Sequence, residues 1–109
     1  MGDNADYATW WTDLSAAHAE LVLSGHDHTY QRFVPTGSGG AADPAGVTQL
    51  VVGTGGEELM TPPAPRSTLA TGASAFGVLK LTLHANGWNG SFLSAAGGSF
   101  TDSFSGTCH

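Results

Sequence analysis

The chain has 109 residues, room for one small domain with a modest core. Only 11% of them are charged, and the formal net charge is −6. Arg32, Arg66 and Lys80 are its only Lys or Arg residues and are scattered, which excludes nucleic-acid binding by phosphate neutralisation and disfavours an acidic membrane surface.

An apolar content of 40% argues against wholesale disorder. No run approaches the ~18 apolar residues of a membrane span. The opening MGDNADYATWW has no basic region followed by an apolar one, so it does not read as a signal peptide, and it fails the myristoylation pattern. Cys108 is the single cysteine and cannot form an internal disulfide. It reads as an inert residue, with metal ligation beside His109 or an intermolecular bridge as the alternatives.

Residues 3–20 predict a helix. Tyr7, Trp10, Trp11, Leu14, Ala17 and His18 share one face at helical spacing. Asp3, Asn4 and Asp6 are cap candidates, and His18 is a helix-end or packing histidine. The three tryptophans, Trp10, Trp11 and Trp88, read as core. LVLS at residues 21–24 is apolar without alternation, as a strand buried on both faces would be. TYQRFVP alternates, with Tyr30, Arg32 and Val34 on one face and Gln31 and Phe33 on the other. TGSGGAADPAG is a loop, VTQLVV a strand and GTGG its closing turn. Residues 57–74 show no periodicity and predict a functional or mobile loop. FGVLKLTL then places Leu79, Leu81 and Leu83 on one face. Asn86-Gly87 is a strong hairpin signal, WNGSFLSA the return strand and SFTDSF a third strand. The expected fold is α+β over residues 1–109. It has one N-terminal helix, a buried strand, a Gly-His-x-His loop, and a mainly antiparallel sheet ending in a β-meander.

The chemistry concentrates in GHDH. Ligands tend to bind outside the carboxyl ends of strands, and Gly25 would permit a strained turn there. His26 and His28 would project from a rigid strand end. Imidazole is the commonest metal ligand near neutral pH, and this spacing allows chelation of one ion or one histidine on each of two ions. Asp27 is a third ligand, a partner that orients an imidazole, or a solvated carboxylate. Tyr30 and Arg32 read as strand residues that pack within the sheet. His84 precedes the hairpin turn and reads as exposed, and His109 as disordered. No Gly-x-Ser-x-Gly is present, which argues against a serine hydrolase.

LVLSGHDHTYQRF resembles the last metal-binding motif of the calcineurin-like metallophosphoesterases. The likeness is to the branch that resembles purple acid phosphatases and secreted alkaline phosphatases. That segment reads as an apolar strand, Gly-His-x-His, an aromatic residue and a polar-Arg pair. Here these are Gly25, His26, His28, Tyr30, Gln31 and Arg32, with Gln31 where the family more often has Glu. LVVGTGG and FGVLKLTL…W…DSFSGTC are similar to the family's C-terminal strands, so the resemblance runs from the helix to Cys108.

The resemblance implies metal-dependent hydrolysis of phosphoesters by a metal-activated water. His26 and His28 would be the metal ligands, with Asp27 beside them, and Tyr30 or Arg32 would touch the phosphate unless both pack within the sheet. Zinc is the first expectation, with manganese or iron as alternatives. It also implies a truncated half of a metallophosphoesterase sandwich, because the family's earlier ligand motifs have no counterpart here. GDNADY lies too close to His26 to serve as one. The site would then be completed by a homo-oligomer, or by recruiting Asp27, Asp3, Asp6, His18, His84 or His109. A catalytically inactive metal-binding or structural oligomer is the alternative. Members of the branch are commonly secreted, so the resemblance suggests an extracellular location.

Overall fold

The structure is a computed structural model and describes residues 5–109. It is α+β, with one short helix and two mainly antiparallel sheets. A 3-10 turn at Ala5–Tyr7 leads into α1, Ala8–Ala16. The first sheet contains β1 (Leu21–Ser24), β2 (Tyr30–Phe33), β3 (Thr48–Val52) and β4 (Leu69–Ala73), in the order β1-β3-β2-β4. The second is the meander β5 (Gly77–His84), β6 (Gly87–Ser94) and β7 (Asp102–Thr107).

The helix is shorter than its apolar stripe suggested. Tyr7 is its N-cap and makes no side-chain cap hydrogen bond. Of the expected caps, Asp3 and Asn4 lie outside the described residues. The C-terminal end is closed by a left-handed residue, His18 at φ 54°. Its N–H donates to the Ser15 carbonyl at 3.1 Å, and the Ala19 N–H reaches back to Leu14 at 2.9 Å. These two bonds form a Schellman motif, with histidine where glycine is usual.

β1 corrects an expectation. It is an edge strand, paired only with β3 and in parallel. Leu21 packs against the core, but Leu23 is 54% exposed. An unbroken apolar run reports attraction to a core and cannot report whether a neighbour stands on each side. β4 was hidden within the stretch read as a loop. Ala-Thr-Gly-Ala has weak strand propensity, and the element exists through its antiparallel ladder with β2.

The meander formed as read, with two shifts. His84 pairs with Gly87, so the turn is Ala85-Asn86 and Gly87 is already in the strand. Close approach explains this glycine, since a Cβ on it would meet the Gly106 carbonyl oxygen at 2.4 Å. The third strand runs Asp102–Thr107, later than SFTDSF suggested.

Aromatic rings lie over glycines across the inner face of the meander. A Cβ on Gly90 would sit 2.0 Å from the Phe104 ring, and one on Gly106 would sit 2.1 Å from Trp88. Gly90–Phe104 and Trp88–Gly106 are directly opposed pairs, so the rings fix the β6–β7 register. The core joins this face to the first sheet. Tyr30, Leu50 and Phe92 are its buried centre, with Phe100 beside them. The Tyr30 and Phe92 ring centroids are 4.7 Å apart, in the tilted geometry aromatic pairs prefer. Of the tryptophans read as core, only Trp88 is buried. Trp10 is 62% exposed, and half-buried Trp11 donates its Nε1–H to the Thr36 carbonyl at 3.3 Å.

Candidate metal site

The strand order dictates where the histidines lie. β1 and β3 are parallel neighbours, and β2 lies beyond β3. The chain leaving β1 must therefore cross over the carboxyl end of β3 to enter β2. Residues 25–29, the histidine segment, make that crossing. Gly53 follows β3 and lies directly beneath it. A Cβ on Gly53 would fall 2.0 Å from the Asp27 carbonyl oxygen and 3.2 Å from the His28 Cα. The GTGG read as a turn is thus also a platform for the histidine loop.

Two consecutive tight turns shape the loop. The Asp27 N–H donates to the Gly25 carbonyl at 3.0 Å, and the Thr29 N–H donates to the Asp27 carbonyl at 2.8 Å. His26 is at the centre of the first, with φ 73°. A three-residue turn with positive φ is rare and strained. Gly25, expected to take the strained conformation, does not take it; His26 does. For a residue with a Cβ this costs about 1–2 kcal/mol. The sequence could not have shown this, because nothing in Gly-His-Asp-His says which residue turns.

His28 is held more tightly. Its Nδ1 lies 2.8 Å from the Glu58 carbonyl oxygen, and its own carbonyl accepts the Met60 N–H at 3.0 Å. A carbonyl can only accept, so Nδ1 of the neutral ring carries the proton and Nε2 the lone pair. This is how metal-binding histidines are commonly oriented, with one ring N–H on a backbone carbonyl and the other nitrogen facing the ion. Glu58 contributes through its backbone, and no side-chain pattern could have announced it. His26 is exposed, and Asp27 and His28 are half-buried.

The other named candidates are not gathered there. His18 closes the helix. His84 shares a 2.8 Å hydrogen bond with Asn89 beside the far hairpin. His109, read as disordered, has its N–H on Glu20 at 2.6 Å and its ring 3.3 Å from the same carboxylate. Cys108 is a free, exposed thiol whose backbone N–H meets the Asn86 carbonyl. Asp6 lies in the 3-10 turn, and Asp3 is outside the described residues. Among the described residues, no three His, Cys, Asp or Glu side chains group closely enough to hold a metal ion.

Tyr30 and Arg32 are committed elsewhere. Arg32 grips Asp102 with two bonds, Nε to Oδ2 at 2.7 Å and Nη2 to Oδ1 at 3.0 Å. Tyr30 donates its hydroxyl to the same Oδ2 at 2.7 Å, and the Phe104 ring lies against the guanidinium. Burial, followed by the Asp102 acceptor, pushes the Tyr30 phenol well above its ordinary range. The bond to Asp102 raises Arg32. Burial works to raise the Asp102 carboxyl, but the bonds from Arg32 and Tyr30 outweigh it and hold the group below the usual carboxylate range. This triad ties β2 to β7 across the core, and it takes both residues out of contention as phosphate contacts.

Clefts among the described residues include two that neither His26 nor His28 lines. One lies between α1 and the outer face of the first sheet, beside Trp10, Trp11, Leu14 and Phe33. The other lies where residues 54–56 meet β5 and β6. No helix among the described residues is long and apolar enough to cross a membrane. Compared with protein-family models, curated proteins and solved structures, the chain matches none of them.

Proposed function

We propose that the chain is the histidine-bearing part of a metal-dependent phosphoester hydrolase whose site is completed by further copies of itself. The observation that carries the reading is the fixed His28 ring. Its Nδ1–H is satisfied by the Glu58 carbonyl, which leaves Nε2 as a ligand nitrogen in a loop of Gly-His-x-His sequence. His26 supports it, held in a strained conformation at the carboxyl edge of two parallel strands. Strain retained in an exposed loop is a common mark of a working site.

Zinc suits the two imidazoles best, with manganese or iron as alternatives. When bound, such an ion supplies positive charge to the phosphoryl oxygens and brings a water's pKa near neutrality. The chain's own part is narrower. Glu58 fixes the His28 tautomer, the turn presents His26, and Gly53 lets the crossing sit close on β3. Two imidazoles fall short of the three ligands and open position of a catalytic zinc. The open edge of β1, which ends where the loop begins, gives a second copy a place to pair and bring the missing ligands. An extracellular setting follows from the resemblance.

The second reading is a metal-stapled oligomer without turnover, favoured by the open edge of β1 beside the two imidazoles. One purification separates the two. Metal content is measured on the size-exclusion peak that gives the mass, for wild type, His26→Ala and His28→Ala. Hydrolysis of p-nitrophenyl phosphate is followed with and without chelator. Metal that disappears in both variants, together with chelator-sensitive turnover, is the expected result. Metal without turnover selects the staple. A peak that takes up no added zinc, manganese or iron removes both.

A further inference from the structure

β5 is an edge strand, paired only with β6. Its first residue shows which way its backbone groups point. The Gly77 N–H donates to the Thr54 carbonyl at 3.1 Å, and the Gly77 carbonyl accepts the Thr54 Oγ1–H at 2.8 Å. Both bonds lie on the side away from β6. In an antiparallel strand each residue sends its N–H and C=O to one side, and the next residue sends them to the other. Leu79, Leu81 and Leu83 are in phase with Gly77, so their backbone groups face outward as well. No segment among the described residues pairs with them there.

Their side chains form one row on the face toward the first sheet. Leu79 packs against the core, Leu81 is half-buried and Leu83 is 72% exposed. The first sheet therefore ends short of the far end of this row. An open edge beside an exposed apolar row is a template for another strand. β7, the other edge of the meander, carries no large exposed apolar residue.

We infer that the partner at this edge is a second copy of the chain, with the two β5 strands antiparallel about a two-fold axis at Leu81. This register sets Leu79 opposite the second copy's Leu83, Leu81 opposite Leu81, and Leu83 opposite Leu79. No other symmetric register pairs all of these outward groups on both strands. Centred on Lys80, the pairing would bring Leu83 to Gly77, which Thr54 already holds, and would set lysine against lysine. Centred on Thr82, it would bring Leu79 to Ala85, inside the hairpin turn. The Leu81 register fits between these two stops. Directly opposed side chains share a face, so the two leucine rows merge and Leu83 is covered. On the outer face Lys80, the one Lys, Arg, Asp or Glu of β5, meets Thr82 of the second copy. The two meanders become one continuous antiparallel sheet. This interface is separate from the edge of β1, and it stands whether or not the histidines hold a metal.

The test is sedimentation of the full chain over a concentration series, with amide hydrogen exchange on the same samples. Chelator is present throughout, so that no metal bridge contributes. Thr82→Lys and Thr82→Glu are the central variants. Thr82 is exposed and faces Asn89 within its own sheet, so neither change buries a charge. The expected result is a reversible monomer–dimer equilibrium in which the Leu79, Leu81 and Leu83 amides slow as dimer forms. Thr82→Lys sets lysine against Lys80 twice by symmetry and should weaken the dimer about tenfold. Thr82→Glu should tighten it. A chain that stays monomeric at millimolar concentration overturns the inference. So does a dimer whose β5 amides exchange as fast as in the monomer, whether or not those of β1 are protected instead. Equal effects of Thr82→Lys and Thr82→Glu overturn the register, and the two-fold pairing with it.

Discussion

The first sheet has two faces, and they are finished to different standards. Toward the meander it presents Tyr30 and Leu50, each 0% exposed, against Phe92, with Asp102 bridging to Arg32 and Tyr30. Toward the helix it presents Phe33 and Gln49 to a cleft, and no residue of α1 is buried. The seam with the meander is filled and hydrogen-bonded; on the other face Phe33 and Val51 are buried too, but α1 adds no buried residue of its own. The helix should therefore add little to stability compared with the sheet-to-sheet seam. The histidine loop belongs to neither seam. It carries strain that the well-packed seam must offset.

Asp102→Ala should do the most damage, about 3 kcal/mol in urea unfolding. It leaves a part-buried guanidinium and a buried phenol without their acceptor. The figure sits at the low end because the Arg32 side chain keeps 23% exposure. The same carboxylate sets the acid limit. Its pKa is lower folded than unfolded, so its contribution is full above the ordinary carboxylate range and is lost as pH falls through the depressed value. Asp102→Asn should flatten that acid limb in a pH series of melting curves. Tyr30 works in the opposite sense: its contribution is full below the ordinary phenol pKa of 10.0 and is lost above it.

Gly90→Ala should come next, at about 1–3 kcal/mol by overpacking against Phe104. A thermal midpoint equal to wild type would mean that the ring moves aside freely and that the β6–β7 register is not set by it. His26→Gly should reverse the sign, stabilising by roughly 0.5–1 kcal/mol while abolishing metal uptake. Destabilisation instead would show that the imidazole has a packing role and that the loop is not strained for function. Trp10→Ala should move the unfolding midpoint least, by less than about 0.5 kcal/mol. A large loss there would collapse the contrast between the two faces.

Part of this was legible beforehand. Alternation gave β5, and Asn86-Gly87 gave the hairpin to within one residue. The apolar runs gave β1 and β3, and Gly-His-Asp-His gave the loop. What escaped depends on partners far along the chain. Arg32 finds Asp102 at a separation of 70 residues, and no local pattern joins them. β4 exists because β2 has a free ladder to offer. LVLS became an edge strand because only β3 came to pair with it. The Trp10 stripe was genuine in spacing, but the surface it meets is too shallow to bury it. At the loop, residue types named the ligand candidates. The fold then decided the rest, which includes the carbonyl that orients His28 and the residue that bears the turn.

The crossing over β3 also fixes when the loop can come into being. Gly53 supports Asp27 only after β3 has zipped alongside β1, and that pairing must wait for the long excursion through β2 and residues 34–47. Parallel, non-local pairings are slow steps in folding, because loop closure precedes any reward. The two histidines therefore cannot act as an early nucleus that gathers the chain around an ion. An ion that reached them sooner would meet an unformed turn, and metal should speed neither collapse nor strand pairing. It should slow unfolding, by holding closed a bend that is among the last to form.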